Sequence, residues 1–224
     1  LGNQIGFIYQ IMNLGLTAGA GVLTSQYWGR KDSASIRKVM SMAYKISMTL
    51  AAIFTILALT IPDILMSFYT KEPEVIEAGA QYLRIIAFTY LVSGFTMTSM
   101  SILRTVGTVK ITLYMYIISF FVNVFFNYCL IFGHFGFPQM GIVGAAIATL
   151  IARVVECMII VVYVFRIDKK IGFQVQDIFQ KIDREILGIY MRYGAPVLCN
   201  EMLWSIGSTM LSVIMGHMGS NFVA

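Results

Sequence analysis

Charge is what this sequence has least of. Only 12% of its 224 residues are Asp, Glu, Lys or Arg, against 58% hydrophobic, and the mean hydropathy is +0.78. A soluble domain carries about 25% charged residues. Half of that leaves too little polar surface to cover a globule in water, so a bilayer is the solvent that fits. Cysteine is scarce too: Cys129, Cys157 and Cys199 each sit in an apolar stretch. An odd count with no C-x-x-C spacing argues against a disulfide framework or a zinc site and leaves three small apolar residues. The two histidines, His134 and His217, stand near the outer ends of apolar stretches without metal-ligand spacing. Enzyme signatures are missing: there is no H-E-x-x-H, no G-x-S-x-G, no P-loop and no dinucleotide-binding glycine pattern. No enzyme activity, catalytic residue, metal or cofactor is therefore expected. The chain starts at Leu1 and stops within an apolar run at Ala224, so it is expected to be a fragment.

What is present is a series of long apolar runs. A helix needs about 20 apolar residues to cross a hydrocarbon core of roughly 30 Å. Six stretches qualify, at about 3–28, 39–61, 82–103, 111–132, 142–165 and 195–219. From Ile111 to Ala152 no Asp, Glu, Lys or Arg occurs, and the segment from Gly133 to Pro138 divides this stretch into two spans with a tight turn. Lipid offers no partner to an unpaired backbone group, which favours helices over isolated strands. The predicted fold is all-α, a polytopic bundle of transmembrane helices.

The basic residues then orient the chain. Arg30, Lys31, Arg37 and Lys38 follow the first span, Arg104 and Lys110 the third, and Arg166, Lys169, Lys170, Lys181, Arg184 and Arg192 the fifth. The connections after the second and fourth spans hold only Lys71. Lys and Arg collect on the cytoplasmic side, so the connections after spans one, three and five are placed inside the cell. The net charge of +5 is explained by this asymmetry, and no nucleic-acid partner is expected.

The longest connection, 166–193, reads as a cytoplasmic linker between a five-span block, 1–165, and the opening helix of a second block, 194–224. Ile178, Ile182, Ile186 and Ile189 or Tyr190 recur at helical spacing. They predict an amphipathic helix lying either in the membrane interface or on the protein's own cytoplasmic face.

Ionisable residues inside spans are expensive and therefore informative. Lys45 and Arg84 sit near span ends, where long side chains can reach the interface. Arg153 and Glu156, three apart in the fifth span, share a helix face. They read either as a structural ion pair or as a substrate-facing one. Glu201 lies about 9 Å into the sixth span at 1.5 Å rise per residue. No basic residue follows it. Desolvation would favour its protonated form, so it reads either as a group coupling ion flow to movement of a cationic substrate or as an acid near the cytoplasmic mouth, simply hydrated or hydrogen-bonded. Asn200 and Trp204 flank it as candidate substrate contacts. Asn123 and Asn127, four apart in the fourth span, and Thr149 in the next could bridge helices or offer oxygens to Na⁺. Glycines at 2, 6, 15 and 19 give the first span small-xxx-small spacing, which suits close helix packing.

Several motifs in order resemble one family, the multidrug and toxic compound extrusion (MATE) transporters. Gln26 to Asp32 resembles their Q-x-x-G-x-x-D signature, and Leu103 to Lys110 their L-R-x-x-G-x-x-K loop. Asn123 and Asn127, followed by Gly141 to Thr149, resemble the N-x-x-x-(N/D)…G-x-x-G-A-A-x-A-T run of the fifth and sixth helices. Gly194-Ala195-Pro196 with Asn200-Glu201 resembles the opening of the seventh. The resemblance implies a twelve-helix, two-lobe transporter of the plasma membrane, of which this chain would hold helices two to seven. It implies export of cationic or amphipathic compounds in exchange for H⁺ or Na⁺ by alternating access, with no cofactor, by a monomer embedded in the lipid bilayer. Position 127 is Asn where some members carry the Asp of a first-lobe cation site, and Glu201 stands about one turn earlier than the helix-seven acid of other branches. A lipid-linked oligosaccharide flippase of the same superfamily and a non-transporting membrane scaffold are the alternatives.

Overall fold

The computed structural model describes residues 4–217. Its helices are α1 (Gln4–Gly29), α2 (Ser33–Thr60), the short α3 (Pro62–Ser67), α4 (Pro73–Thr105), α5 (Lys110–Phe132), α6 (Gly141–Val162) and α7 (Arg184–His217). No strand occurs among the described residues. Helices α1, α2, α4, α5 and α6, the last with its π-helical extension to Ile167, are long and apolar enough to cross a membrane. They correspond to the first five expected spans. Gly2, Asn3 and Gly219, and the side chain of His217, lie outside the described residues. Helix α2 starts early enough that Arg37 and Lys38 stand on its first turns rather than in a loop.

Local chemistry sets the helix ends. Asp32 caps α2, accepting hydrogen bonds from the Ser35 amide at 3.0 Å and the Ser35 hydroxyl at 2.6 Å. Pro62 and Pro73 open α3 and α4, where a missing N–H leaves no bond unmade. Gly133 ends α5 with φ +74°, a conformation that a side chain would strain.

Two buried clusters fill the bundle. One, at the end carrying the basic connections, gathers Ile36, Met40, Tyr44, Leu103, Ile160, Ile171 and Phe173, with Tyr44 stacked on Phe95 at 4.7 Å. The other gathers Ile5, Tyr9, Leu83, Ile86 and Tyr90. Between them runs a polar seam. Asn13, fully buried, donates to the Tyr9 and Ser47 hydroxyls at 2.9 Å each; Tyr9 donates to the Tyr90 carbonyl and Ser47 to the Gly94 carbonyl. Such bonds tie helices together where hydrophobicity does not discriminate protein from lipid. Outside, α5 exposes Phe120, Phe121, Phe125 and Phe132, a surface suited to lipid or to another helix.

Glycines bring helices close at two places. A Cβ on Gly144 would fall 2.6 Å from the Leu130 carbonyl oxygen, pinning α6 to α5. On α1, a Cβ at Gly15 would meet Leu198 Cα of α7 at 2.8 Å, and one at Gly19 would meet Gly194 Cα at 3.0 Å. Gly15 and Gly19 thus serve helix contact, as their spacing suggests.

The three basic connections meet at one end of the bundle. Ser33 donates to the Lys170 carbonyl, while the Lys170 ammonium donates to the Val106 carbonyl at 3.2 Å and the Thr108 hydroxyl at 3.0 Å. Antiparallel packing carries the Lys71 connection to the other end, which agrees with the charge pattern.

The linker differs from expectation. No single amphipathic helix spans Ile178 to Tyr190. Val175–Phe179 forms a 3₁₀ turn, and α7 begins only at Arg184, with the Asp183 carboxylate accepting from the Glu185 amide at 3.1 Å. Asp183 competes for backbone donors and starts a helix rather than continuing one. Helix α7 then continues without a break through Pro196 to His217, so the end of the linker and the sixth apolar stretch are one helix. Ile186 and Tyr190 pack into the protein's own core. Lys45 and Arg84 also have partners other than the interface: the Lys45 ammonium donates to the Gln180 carbonyl, and Arg84 Nη2 lies 3.5 Å from Asp63 Oδ2.

Candidate functional site

The antiparallel α5–α6 pair carries two groups of candidate residues at different depths. Gly144 opposes Leu130 and Glu156 opposes Ser119, so Thr149 stands level with the turn between Asn123 and Asn127. The Asn127 amide donates to Asn123 Oδ1 at 2.9 Å, and the buried Asn127 Oδ1 has no partner among the described residues. Thr149 turns its hydroxyl onto the Ala145 carbonyl of its own helix. The three residues lie at one level, but only the two amides are joined; Thr149 bonds to neither. They offer neutral oxygens with no carboxylate, so a hard cation would need a further ligand to bind here.

Deeper toward the basic end, Arg153 and Glu156 form an ion pair with Nη1–Oε distances of 2.7 and 3.0 Å. Ser119 donates to the same carboxylate at 2.5 Å. Glu156 is 4% exposed, and the three donated bonds satisfy it, as a charge buried among helices requires. Of the two readings of this pair, the geometry matches the ion pair that joins α5 to α6.

Glu201 has a different setting. It is half-buried on α7 and makes no hydrogen bond or ion pair among the described residues. Asn200 is exposed, and Trp204, 60% exposed, packs on Phe7 of α1 at 5.9 Å between ring centroids. Just beyond lies a cavity of 610 Å³ between α1, α2, α3 and α7. Ile5, Met12, Phe54, Leu65, Met202 and Ile206 give it apolar walls, and Tyr69, Ser205 and Thr209 add the polar groups. Its volume falls in the range of small-molecule pockets, roughly 300 to 1,000 Å³.

The eight candidates therefore fall into three places: the amide pair with Thr149, the Arg153–Glu156 pair, and the Asn200–Glu201–Trp204 turn. The apolar cavity and the Asn13 seam were not anticipated. The sequence signal for the seam is a polar face of span one, Tyr9, Asn13 and Thr17 at i, i+4 and i+8. No single motif marks the cavity, whose walls come from four helices.

Apolar antiparallel helices, interhelical polar bonds at mid-depth and basic connections at one end define a multi-pass α-helical membrane protein. The MatE family model matches residues 1–129, and the chain belongs to that family. It is 30% identical over 227 residues to the probable multidrug resistance protein YoeA of Bacillus subtilis (strain 168), covering 97% of this chain and 47% of YoeA. Two solved structures share the fold. An inward-facing conformation of a multidrug resistance MATE family transporter matches with a TM-score of 0.77 at 24% identity, over 90% of this chain and 45% of that one. An outward-facing conformation matches with a TM-score of 0.74 at 25% identity, over 93% and 46%. The chain thus spans just under half the length of these relatives and is a multi-pass protein of the plasma membrane.

Proposed function

We propose that this chain is most of the first lobe and the opening helix of the second in a secondary active exporter of cationic or amphipathic compounds, driven by H⁺ or Na⁺. Residues 1–165 would move with the first lobe, 194–224 would open the second, and 166–193 would link them. The full protein would act as a monomer in the bilayer, exposing its cargo to alternate sides as the lobes rock.

The observation that carries this reading is Glu201, a half-buried carboxylate with no partner among the described residues, next in the chain to Met202 in the wall of a drug-sized apolar cavity. An unpaired acid at membrane depth is stable when protonated or when neutralised by a cation. Proton and cationic cargo would then compete for it, which is antiport at its simplest. Asn123, Asn127 and Thr149 would serve the coupling ion if that ion were Na⁺, and Asn200 and Trp204 would contact cargo. Arg153 is already neutralised by Glu156, which leaves the spans short of the multiple cations that a lipid-linked oligosaccharide flippase would need.

The test is energised ethidium efflux by the full-length protein, wild type against Glu201→Gln. The substitution is expected to abolish coupled efflux. Unchanged efflux would remove Glu201 from the mechanism, and no efflux of any cation by the wild type would favour the flippase or the scaffold.

A further inference from the structure

A second hollow, of 260 Å³, opens between α1, α4 and α5, separate from the apolar cavity beside α7. Phe7, Met97 and Met100 form part of its greasy wall; Arg104 and Tyr116 stand toward the basic end, and Gln10, one turn from Phe7, toward the other. Two other polar residues at its edge are already committed: Thr17 donates to the Leu14 carbonyl and Ser101 to the Thr17 carbonyl. The groups left for a ligand are a guanidinium, an amide and a phenol.

The charge balance here is positive. Arg104 makes no ion pair or hydrogen bond among the described residues, and no carboxylate lines the hollow. Tyr116 stands within electrostatic reach of Arg104, Arg153 and Glu156. The Glu156 carboxylate is saturated by Arg153 and Ser119, so it neutralises Arg153 and leaves Arg104 uncompensated. A cation entering this hollow would meet repulsion and no counter-charge. A carboxylate would meet an exposed planar fork that can bind both its oxygens.

We propose that this hollow seats the carboxylate of a small aromatic amphipathic compound, its anionic end on Arg104 and Tyr116, its ring against Phe7 and the two methionines. The binding claim stands on this geometry; describing the ligand as cargo rests on the transport reading above. It gives the acidic members of the amphipathic class a place of their own, with Arg104 serving the acid as Glu201 would serve the base.

The test is equilibrium binding to purified full-length protein in lipid nanodiscs. The probes are radiolabelled 1-naphthylacetate, its uncharged amide and size-matched naphthylmethyl-trimethylammonium. The wild type is expected to hold the acid at least tenfold more tightly than the amide. Arg104→Gln is expected to erase that preference, and Arg104→Lys to restore part of it, with thermal melting of each variant reporting its fold. Equal binding of acid and amide by the wild type would overturn the proposal, as would a preference that survives Arg104→Gln in a folded variant. Ethidium efflux by the wild type is measured in parallel: acid-selective binding without efflux would sink the transport reading and leave the pocket standing, whereas efflux without acid selectivity would do the reverse.

Discussion

Ser119 and Glu156 face each other across the α5–α6 interface, the hydroxyl donating to the carboxylate at 2.5 Å while Arg153 grips the same group from its own helix. A buried carboxylate held this way is stable only while its donors remain. Replacing Arg153 by Leu leaves the charge without its main partner. The expected loss is about 3 kcal/mol, the lower end for a broken buried pair, because the Arg153 side chain is 34% exposed. Arg153→Leu combined with Glu156→Gln should recover most of it. Thermal unfolding of the full-length protein in detergent checks this; a double variant as unstable as the single one would contradict the account.

Helices α1 and α7 touch backbone to backbone at Gly15 and Gly19. A methyl at Gly15 would meet Leu198 Cα at 2.8 Å, so Gly15→Ala must push the helices apart. Overpacking of this kind typically costs about 1 to 3 kcal/mol. Gly207, on α7, has open space where its Cβ would lie, so Gly207→Ala is the matched control. Removing a helical glycine in open space should be neutral or mildly stabilising. A Tm that falls equally for both variants would show that the close approach is not what Gly15 supplies.

The linker is held to the end of the bundle by a few charged side chains. Lys45 and Lys170 donate to backbone carbonyls, and Arg37 and Lys38 lie 3.9 and 4.0 Å from Asp177 and Asp183. The two long ion pairs are partly exposed and contribute little. The lysine–carbonyl bonds and the buried Ile171 and Phe173 hold the segment. Lys170→Met should therefore speed trypsin cleavage at Lys181 or Arg184 severalfold, while Lys38→Met should barely change it. Digestion followed by mass spectrometry distinguishes the two.

Most of the bundle was legible because lipid enforces a simple rule: long apolar runs become helices, and basic residues collect at one end. That rule anticipated α1, α2, α4, α5 and α6, and that the connections holding Ser33, Val106 and Lys170 share one end. It failed for the linker. Isoleucines at 178, 182, 186 and 189 have helical spacing, but spacing does not reveal that Asp183 would cap a new helix or that Phe173 would fold inward. The site was less legible than the fold. The Arg153–Glu156 pair could be read because both partners lie on one helix, three residues apart. Ser119, the α7 cavity and the hollow beside Arg104 depend on which helices become neighbours, and no local pattern encodes that.

The last residue of the Q-x-x-G-x-x-D signature has a structural task that pH can expose. Asp32 lies at the start of α2, outside the apolar spans, and its carboxyl ionises below the usual range. The Ser35 hydroxyl is the main cause and the Ser35 amide the next. The folded state therefore binds a proton at Asp32 less readily than the unfolded chain does. The stabilisation is complete above the unfolded value of about 3.9 and is lost as pH falls through the lower folded value. Asp32→Ala should lower the Tm near neutral pH, and the gap from wild type should close on acidification through that window. Asp32→Asn keeps an acceptor for the Ser35 amide but carries no charge, so its Tm should lie between the two and the wild type should converge on it in acid. A gap between wild type and Asp32→Ala that stays constant from neutral pH down to about pH 3 would mean that the ionised carboxylate contributes nothing beyond its shape.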